Sequence, residues 1–359
     1  MTPFATVVEQ IDRTGLTLVR AHPRADRLHL DMLAGAERVI GQWVADPAEA
    51  ERVARATARV APDLVERRGA HLVVHHGGAD RRLAPLAQLV DAGAELVVHR
   101  PERRAVVRTE PTPCGSVWTK VVRPGRTADL VRRTRAAAAV PGLSAPDVTS
   151  WDEESGTIRL TTLPGTPLHG LLPETVAPQT AQGVGRAVRT LHEAAAAAPV
   201  GTASHDLASE VDVTRGLLGL ARTHAALGAR EAAVVEREIA AAAARVVDAG
   251  RPAVPALLHR DLHDKQLLVD GDAVGMLDVD TLALGDPALD LGNLLAHLDL
   301  RVLQGRTSAS TATSVEEGVL AGYGPDARTL AAARGYRALT TARLRALYAF
   351  RPGDLPPSA

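Results

Sequence analysis

His259-Arg260-Asp261-Leu262-His263-Asp264-Lys265-Gln266, followed by Asp278-Val279-Asp280 and then Gly285-Asp286-Pro287, is the stretch whose reading decides this chain. Between the first two pieces, Leu267-Leu268-Val269, the turn Asp270-Gly271 and Ala273 to Leu277 have the pattern of a two-strand hairpin. Gln266 precedes the first strand and Asp278 closes the second, so the hairpin brings both to one edge, where their side chains can converge on one ion. A carboxylate, a carboxamide and a second carboxylate in this order suit a metal-bound nucleotide phosphate held beside an activated hydroxyl. His-x-Asp or Asp-x-Asp alone is weak evidence, because short motifs recur by chance and often cap turns. The order, the hairpin and the Gly-Asp-Pro turn together are specific.

Phosphoryl transfer assigns the roles. Asp261 is the candidate general base that orients and deprotonates the attacking hydroxyl. Asp278 and the side-chain carbonyl of Gln266 are candidate magnesium ligands, since that hard ion takes oxygen donors. Asp280 reaches a second ion or a water. Lys265 is placed to neutralise the transferred group in the transition state. His259 reads as a scaffold residue, and Asp290 as a brace for the Asp261 loop. Asp286 reads as the cap of the following helix, with Pro287 in its first position.

Of the 41 basic residues only Lys120 and Lys265 are lysines; the rest are arginine. Lys is a compact charge on a thin stem, suited to reaching a phosphate from a strand. Lys120 lies in the apolar segment Val117 to Val122 and is the candidate that holds the non-transferred phosphates.

At 359 residues the chain is long enough for two or three folding units, and 46% hydrophobic with 23% charged residues is ordinary for a globular protein. The formal net charge of −1, without a basic, aromatic-interleaved patch, argues against nucleic acid as a partner. Arg103-Arg104 and Arg132-Arg133 read as solvated faces. The single cysteine, Cys114, excludes an internal disulfide and reads as a small, at least half-buried hydrophobe. No long apolar run and no signal-like start are present, so a cytoplasmic location without membrane contact is expected.

From about residue 5 to 122 the pattern is mainly strand-like. Leu28–Leu33 and Arg38–Val44 form a hairpin, and a helix from Pro47 to Val60 is capped by Asp46. Strands follow at 72–75, 96–99, 105–108 and 117–122, with a short helix at 83–91; the last three strands make a meander ending on Lys120. A helix from Thr127, its cap, runs to Val140, and two strands lie at 148–152 and 157–163. Pro164-Gly165-Thr166-Pro167 marks a boundary after which helices dominate, the last from about Ala327 to Tyr348. Strands first and helices later make an α+β chain.

At His259, Asp261, Gln266, Asp278 and Gly285 to Leu291 the chain resembles the superfamily of aminoglycoside phosphotransferases and choline kinase-like small-molecule kinases. The resemblance covers about 95–350, strongly over 255–300. It implies a bilobal protein-kinase-like fold, with Lys120 in the sheet lobe, the site in the helical lobe, and adenine against Thr161-Thr162-Leu163 between them. With it come ATP and Mg2+ as cofactors and a small-molecule hydroxyl as acceptor. Gln266 stands where the family usually has Asn; the superfamily's bacterial maltokinases also carry Gln there. Asp129 is the only acid on the helix after Lys120, hence the candidate ion-pair partner of that lysine. Residues 1–92 form an additional N-terminal β-rich cap domain before the N-lobe (93–166) and the C-lobe (167–359). The expected activity is an ATP- and magnesium-dependent kinase acting on a sugar or amino sugar. An aminoglycoside-type antibiotic kinase and a non-catalytic nucleotide-binding module on the same fold are the alternatives. Arginines outnumber acids beyond Leu300, which weighs against a polycationic acceptor.

Overall fold

The computed structural model describes residues 2–112 and 115–353; Cys114 lies outside them. The chain opens with helix α1 (Phe4–Asp12), where the sequence reading expected strand. Phe4, Val7 and Ile11 share its buried face, the spacing of an amphipathic helix. Then come β1 (Thr17–Pro23), β2 (Arg27–Ala34), β3 (Glu37–Val44), α2 (Pro47–Ala58), β4 (Val65–Arg68) and β5 (Leu72–His75). The five strands form one antiparallel sheet in the order β1-β2-β3-β5-β4. This is the expected β-rich N-terminal addition. Asp46 caps α2 as expected, accepting the Ala48 N–H at 2.9 Å.

The second sheet is built from β6 (Glu95–Arg100), β7 (Arg104–Thr112), β8 (Gly115–Val122), β9 (Val148–Asp152) and β10 (Thr157–Leu160), in the order β6-β7-β8-β10-β9. Helices α3 (Pro85–Asp91) and α4 (Thr127–Ala138) accompany it. Val106 lies opposite Lys120 and Arg100 opposite Arg104. Side chains alternate along a strand, so Arg100, Arg104, Val106 and Lys120 share one face of the sheet. Thr127 is the first residue of α4 and not its cap; its hydroxyl bonds the Glu153 carboxylate.

Beyond residue 165 helices dominate, as expected. Short strands β11 (Thr166–Pro167) and β12 (Ser204–His205) and helices α5 (Leu168–Leu171), α6 (Pro178–Glu193), α7 (Leu207–Thr223) and α8 (Ala229–Asp248) come first. Next are β13 (Ala256–Leu258), β14 (Leu267–Asp270), β15 (Ala273–Met276) and β16 (Ala283–Gly285). Helices α9 (Ala288–Leu303), α10 (Ala309–Tyr323) and α11 (Ala327–Tyr348) close the chain. The β14-β15 hairpin pairs Leu267 with Met276, and β11 joins it to give a three-stranded sheet. Strands β12, β16 and β13 form another. Helices α6 and α10 approach so closely that a Cβ on Gly185 would lie 2.1 Å from the Val319 carbonyl oxygen. No helix of the described residues is long and apolar enough to cross a membrane.

The N-terminal sheet is fastened to the helical lobe. The Phe4 N–H donates to the His224 carbonyl at 2.7 Å, and the Ala21 N–H to that of Phe350 at 2.8 Å. His224 Nε2 meets the Arg24 carbonyl at 2.6 Å. The rings of Phe4 and Phe350 meet edge-on at 5.2 Å, and both residues belong to the main hydrophobic core.

Candidate active site

The hairpin sets the local geometry. A 3-10 turn, Asp264–Gln266, enters β14, and a second, Val279–Thr281, follows β15. The Leu277 N–H donates to the Gln266 carbonyl at 2.7 Å, which places Gln266 beside the residue preceding Asp278. Asp278 itself is left-handed, φ 56°, an uncommon conformation that short acidic side chains tolerate best.

Lys120 crosses the cleft to this turn. Its Nζ lies 3.0 Å from Asp278 Oδ1 and 2.5 Å from Asp280 Oδ1. Arg104 joins from the same sheet face, bonding Asp278 at 3.1 and 3.2 Å and Asp280 at 3.3 Å. Arg133 donates to the Asp280 backbone carbonyl at 2.7 Å. Burial alone raises the Asp278 carboxyl, but Lys120 and Arg104 outweigh it and hold the group ionised well below the usual range. The Lys120 ammonium is disfavoured by burial and rescued by Asp280 and Asp278, so its proton is held more tightly than usual.

Two sequence expectations change here. Asp129 is not the partner of Lys120: its carboxylate pairs with Arg132 at 2.5 Å and Arg133 at 2.8 Å on its own helix. Lys120 takes its acids from the Asp278 turn instead. Nor are Arg103-Arg104 and Arg132-Arg133 merely solvated, since Arg104 and Arg133 both reach that turn. Sequence reasoning missed these two because an arginine in a pair of arginines gives no local sign of the element it faces. The available signal was strand alternation, which puts Arg104 on the Lys120 face.

Asp261 lies exposed at the start of the loop. The loop is shaped from beneath by Asp290, which is fully buried and accepts the His259 N–H at 2.7 Å and the Arg260 N–H at 2.8 Å. His192 Nε2 approaches the same carboxylate at 3.1 Å. Arg260 is left-handed, φ 71°, and its carbonyl accepts from Asn293 at 2.9 Å. His259 is a scaffold residue as expected, with Nε2 on the Leu277 carbonyl at 2.7 Å, so it ties the Asp261 loop to the Asp278 turn. Asp286 accepts the Ala288 N–H at 3.0 Å at the start of α9 and also binds Arg328.

Lys265 is exposed, and desolvation of its ammonium by the surrounding protein, with the charge of Arg301, eases its proton loss. Its neighbour Asp264 is buried under Arg301, at 2.8 and 3.0 Å, and His169, at 2.6 Å. Thr161, Thr162 and Leu163 form the link between β10 and β11, hence between the two lobes. The Thr161 hydroxyl accepts the Asp147 N–H at 2.8 Å. A Cβ on Gly275 of β15 would stand 3.1 Å from the Leu163 side chain, so the link rests on the hairpin.

A two-lobed kinase-like fold with an acid-rich turn facing a strand lysine defines a phosphotransferase acting on small molecules. The chain belongs to the phosphotransferase enzyme family, which it matches over residues 87–336. No curated protein matches it in sequence. Among solved structures it is similar to amicoumacin kinase hAmiN in complex with AMP-PNP, Ca2+ and Ami. That match has 15% identity and a TM-score of 0.51, over 71% of this chain and 80% of that one. It is also similar to aminoglycoside phosphotransferase APH(3'')-Id from Streptomyces rimosus (21% identity, TM-score 0.48, 71% and 96% covered). A choline/ethanolamine kinase family protein from Mesorhizobium loti is a third (20% identity, TM-score 0.48, 74% and 82% covered). The amicoumacin kinase likeness shows the fold.

Proposed function

We propose that this protein transfers a phosphoryl group from ATP, with Mg2+, to a hydroxyl of a small metabolite, a sugar or amino sugar. The observation that carries the reading is the convergence of Lys120 with Asp278 and Asp280 across the cleft, at 3.0 and 2.5 Å. The donor set suits a hard divalent cation: two carboxylates, plus the Gln266 carboxamide, whose nitrogen faces His263 at 3.4 Å and whose oxygen makes no hydrogen bond among the described residues. Asp278, Asp280 and Gln266 would hold the ion, which supplies charge neutralisation on the nucleotide phosphates. The amicoumacin kinase complex, with AMP-PNP and Ca2+, supports this pairing of nucleotide and divalent ion.

In this reading Lys120 and Arg104 hold the non-transferred phosphates, and the exposed Asp261 orients the acceptor hydroxyl and takes its proton. Lys265 meets the charge that develops on the transferred group. The link at Thr161-Thr162-Leu163 lines the adenine. Residues 1–92, 93–166 and 167–359 serve as cap, N-lobe and C-lobe.

The arginines beyond Leu300 give no argument about the charge of the acceptor, because Arg301, Arg328, Arg337, Arg343 and Arg345 are bound to Asp264, Asp286, Asp299, Glu210 and Glu238 respectively. Arg104, which lies where it competes with a cation for Asp278, favours the second reading of a non-catalytic nucleotide-binding module. ATP consumption across a panel of sugars, amino sugars, amino alcohols and aminoglycosides tests both. An Asp261→Asn variant is expected to bind nucleotide and lose turnover about 100-fold or more; an active variant removes the base assignment.

A further inference from the structure

The β1-β2 hairpin turn, the β6-β7 turn and the residue following β8 border an open cleft of about 430 Å³ lined by Arg24, Asp26, Arg27, His29, Arg82, Glu102, Arg103 and Arg123. None of the candidate catalytic or metal residues lines it. Five arginines face two acids, and both acids are already engaged. Asp26 accepts from Arg27 at 2.7 Å, while Glu102 accepts from Arg81 at 2.8 Å and has Arg82 at 3.6 Å.

Three of the guanidiniums are left over. Among the described residues the Arg24 guanidinium donates only to the Pro23 carbonyl, at 3.0 Å, and Arg24, Arg103 and Arg123 make no ion pair. Burial and the charges of Arg24, Arg104 and Arg123 make Arg103 a weaker base than usual; burial and Arg123 do the same to Arg24. His29 is 3% exposed, and its Nδ1 has no hydrogen-bond partner, like Nη1 of Arg27. Arg24 is half-buried, while Arg103 and Arg123 are exposed at the rim. Like charges brought together without an acid between them repel, and an anion placed among them relieves that cost.

The cleft is also built to stay in shape. Buried Asp80 accepts from His99 Nε2 at 2.9 Å and from the Glu102 N–H at 2.7 Å, fixing the β6-β7 turn, where Glu102 is left-handed at φ 60°. On the other side His224 fixes the Arg24 carbonyl.

We propose that this cleft is a second ligand site, separate from the nucleotide, that binds a small molecule through a phosphate or carboxylate group held by Arg24, Arg103 and Arg123. Guanidinium forks match the oxygen geometry of either group, and the volume suits a metabolite-sized ligand. Arg103 precedes Arg104, which bonds Asp278, so an anion bound here is one peptide unit away from a residue of the candidate site.

Calorimetric titration of the full chain with inorganic pyrophosphate, without magnesium, tests the site. The expected result is one pyrophosphate per chain, at least tenfold weaker binding in Arg24→Ala/Arg123→Ala, and unchanged binding in Lys120→Met. Binding that survives the double substitution, that disappears in Lys120→Met, or that is absent from the wild-type chain overturns the proposal. Malonate titrated in parallel separates the two anion chemistries: competition by malonate assigns a general oxyanion site, and its failure a phosphate site. Thermal melting guards against misfolding. Arg123→Gln relieves repulsion, so its melting temperature without anions should equal or exceed that of the wild type, while its gain on adding pyrophosphate shrinks. A lower melting temperature with an undiminished gain contradicts an anion site.

Discussion

Removing the carboxylate of Asp290 is the sharpest test of how the Asp261 loop is held. This group is fully buried and accepts two backbone N–H groups, from His259 and Arg260, at 2.7 and 2.8 Å, with His192 at 3.1 Å. In Asp290→Ala both N–H groups lose their acceptor, and His259 is fully buried while Arg260 is half-buried. Each orphaned buried donor costs about 1–3 kcal/mol, and breaking a buried charged contact about 3–5 kcal/mol. These costs overlap, so a total loss of about 4 kcal/mol is expected. Asp290→Asn keeps one acceptor oxygen and should lose about 2 kcal/mol. Urea unfolding, with the denaturant slope checked to be constant, measures both. The pH dependence has a definite sign. Burial would raise the Asp290 carboxyl, but the hydrogen bond from His192 and the His192 and His259 charges outweigh it, and the folded value is depressed. Its contribution is therefore fully present above the unfolded carboxylate value of ~3.9 and is lost as pH falls through the lower folded value. Asp290→Asn should lack that part of the acid limb. A loss under about 1 kcal/mol in Asp290→Ala would refute the reasoning.

Three further outcomes are expected. Phe350→Ala, at a fully buried ring packed on Phe4 and His224, should lose about 3–5 kcal/mol and raise protease sensitivity near α1, as limited proteolysis can show. An unchanged cleavage pattern argues that the N-terminal sheet docks without it. Gly185→Ala forces a Cβ to 2.1 Å from the Val319 carbonyl oxygen and should cost roughly 1–3 kcal/mol by overpacking α6 on α10; a neutral melting temperature contradicts that contact. His75 is buried, and burial with the neighbouring His99 lowers its pKa to about 4. The unfolded chain then binds the extra proton between about 6.5 and 4, so stability falls as pH drops through that window. His75→Gln should flatten the decline there, and a decline of unchanged slope assigns it to other groups.

The catalytic hairpin was legible because its parts are local. Strand pattern, a Gly turn and flanking acids lie within one short run, and the alternation that defines β14 and β15 is written in the residues themselves. The last helix and the Asp46 cap were readable for the same reason, since helix ends are set by neighbours within one turn. Helix α1 was not read, although Phe4, Val7 and Ile11 carry the right spacing, because Pro3 precedes it without a side-chain cap. The chain's own order of residues therefore determined the α+β class, the candidate site and the family resemblance.

Which cation meets which acid was settled by folding. Asp129 stands on the helix where a partner for Lys120 was expected, yet Arg132 and Arg133 on the next turn take it. Asp278 and Asp280, far along the sequence, take Lys120 and Arg104. The Arg24, Arg103 and Arg123 cluster likewise joins three separate segments. Charge pairing falls off over a few ångströms, whereas sequence distance says nothing about separation in space once the lobes have closed. Periodicity is fixed by adjacent residues; ion pairs are fixed only by the packing of whole elements.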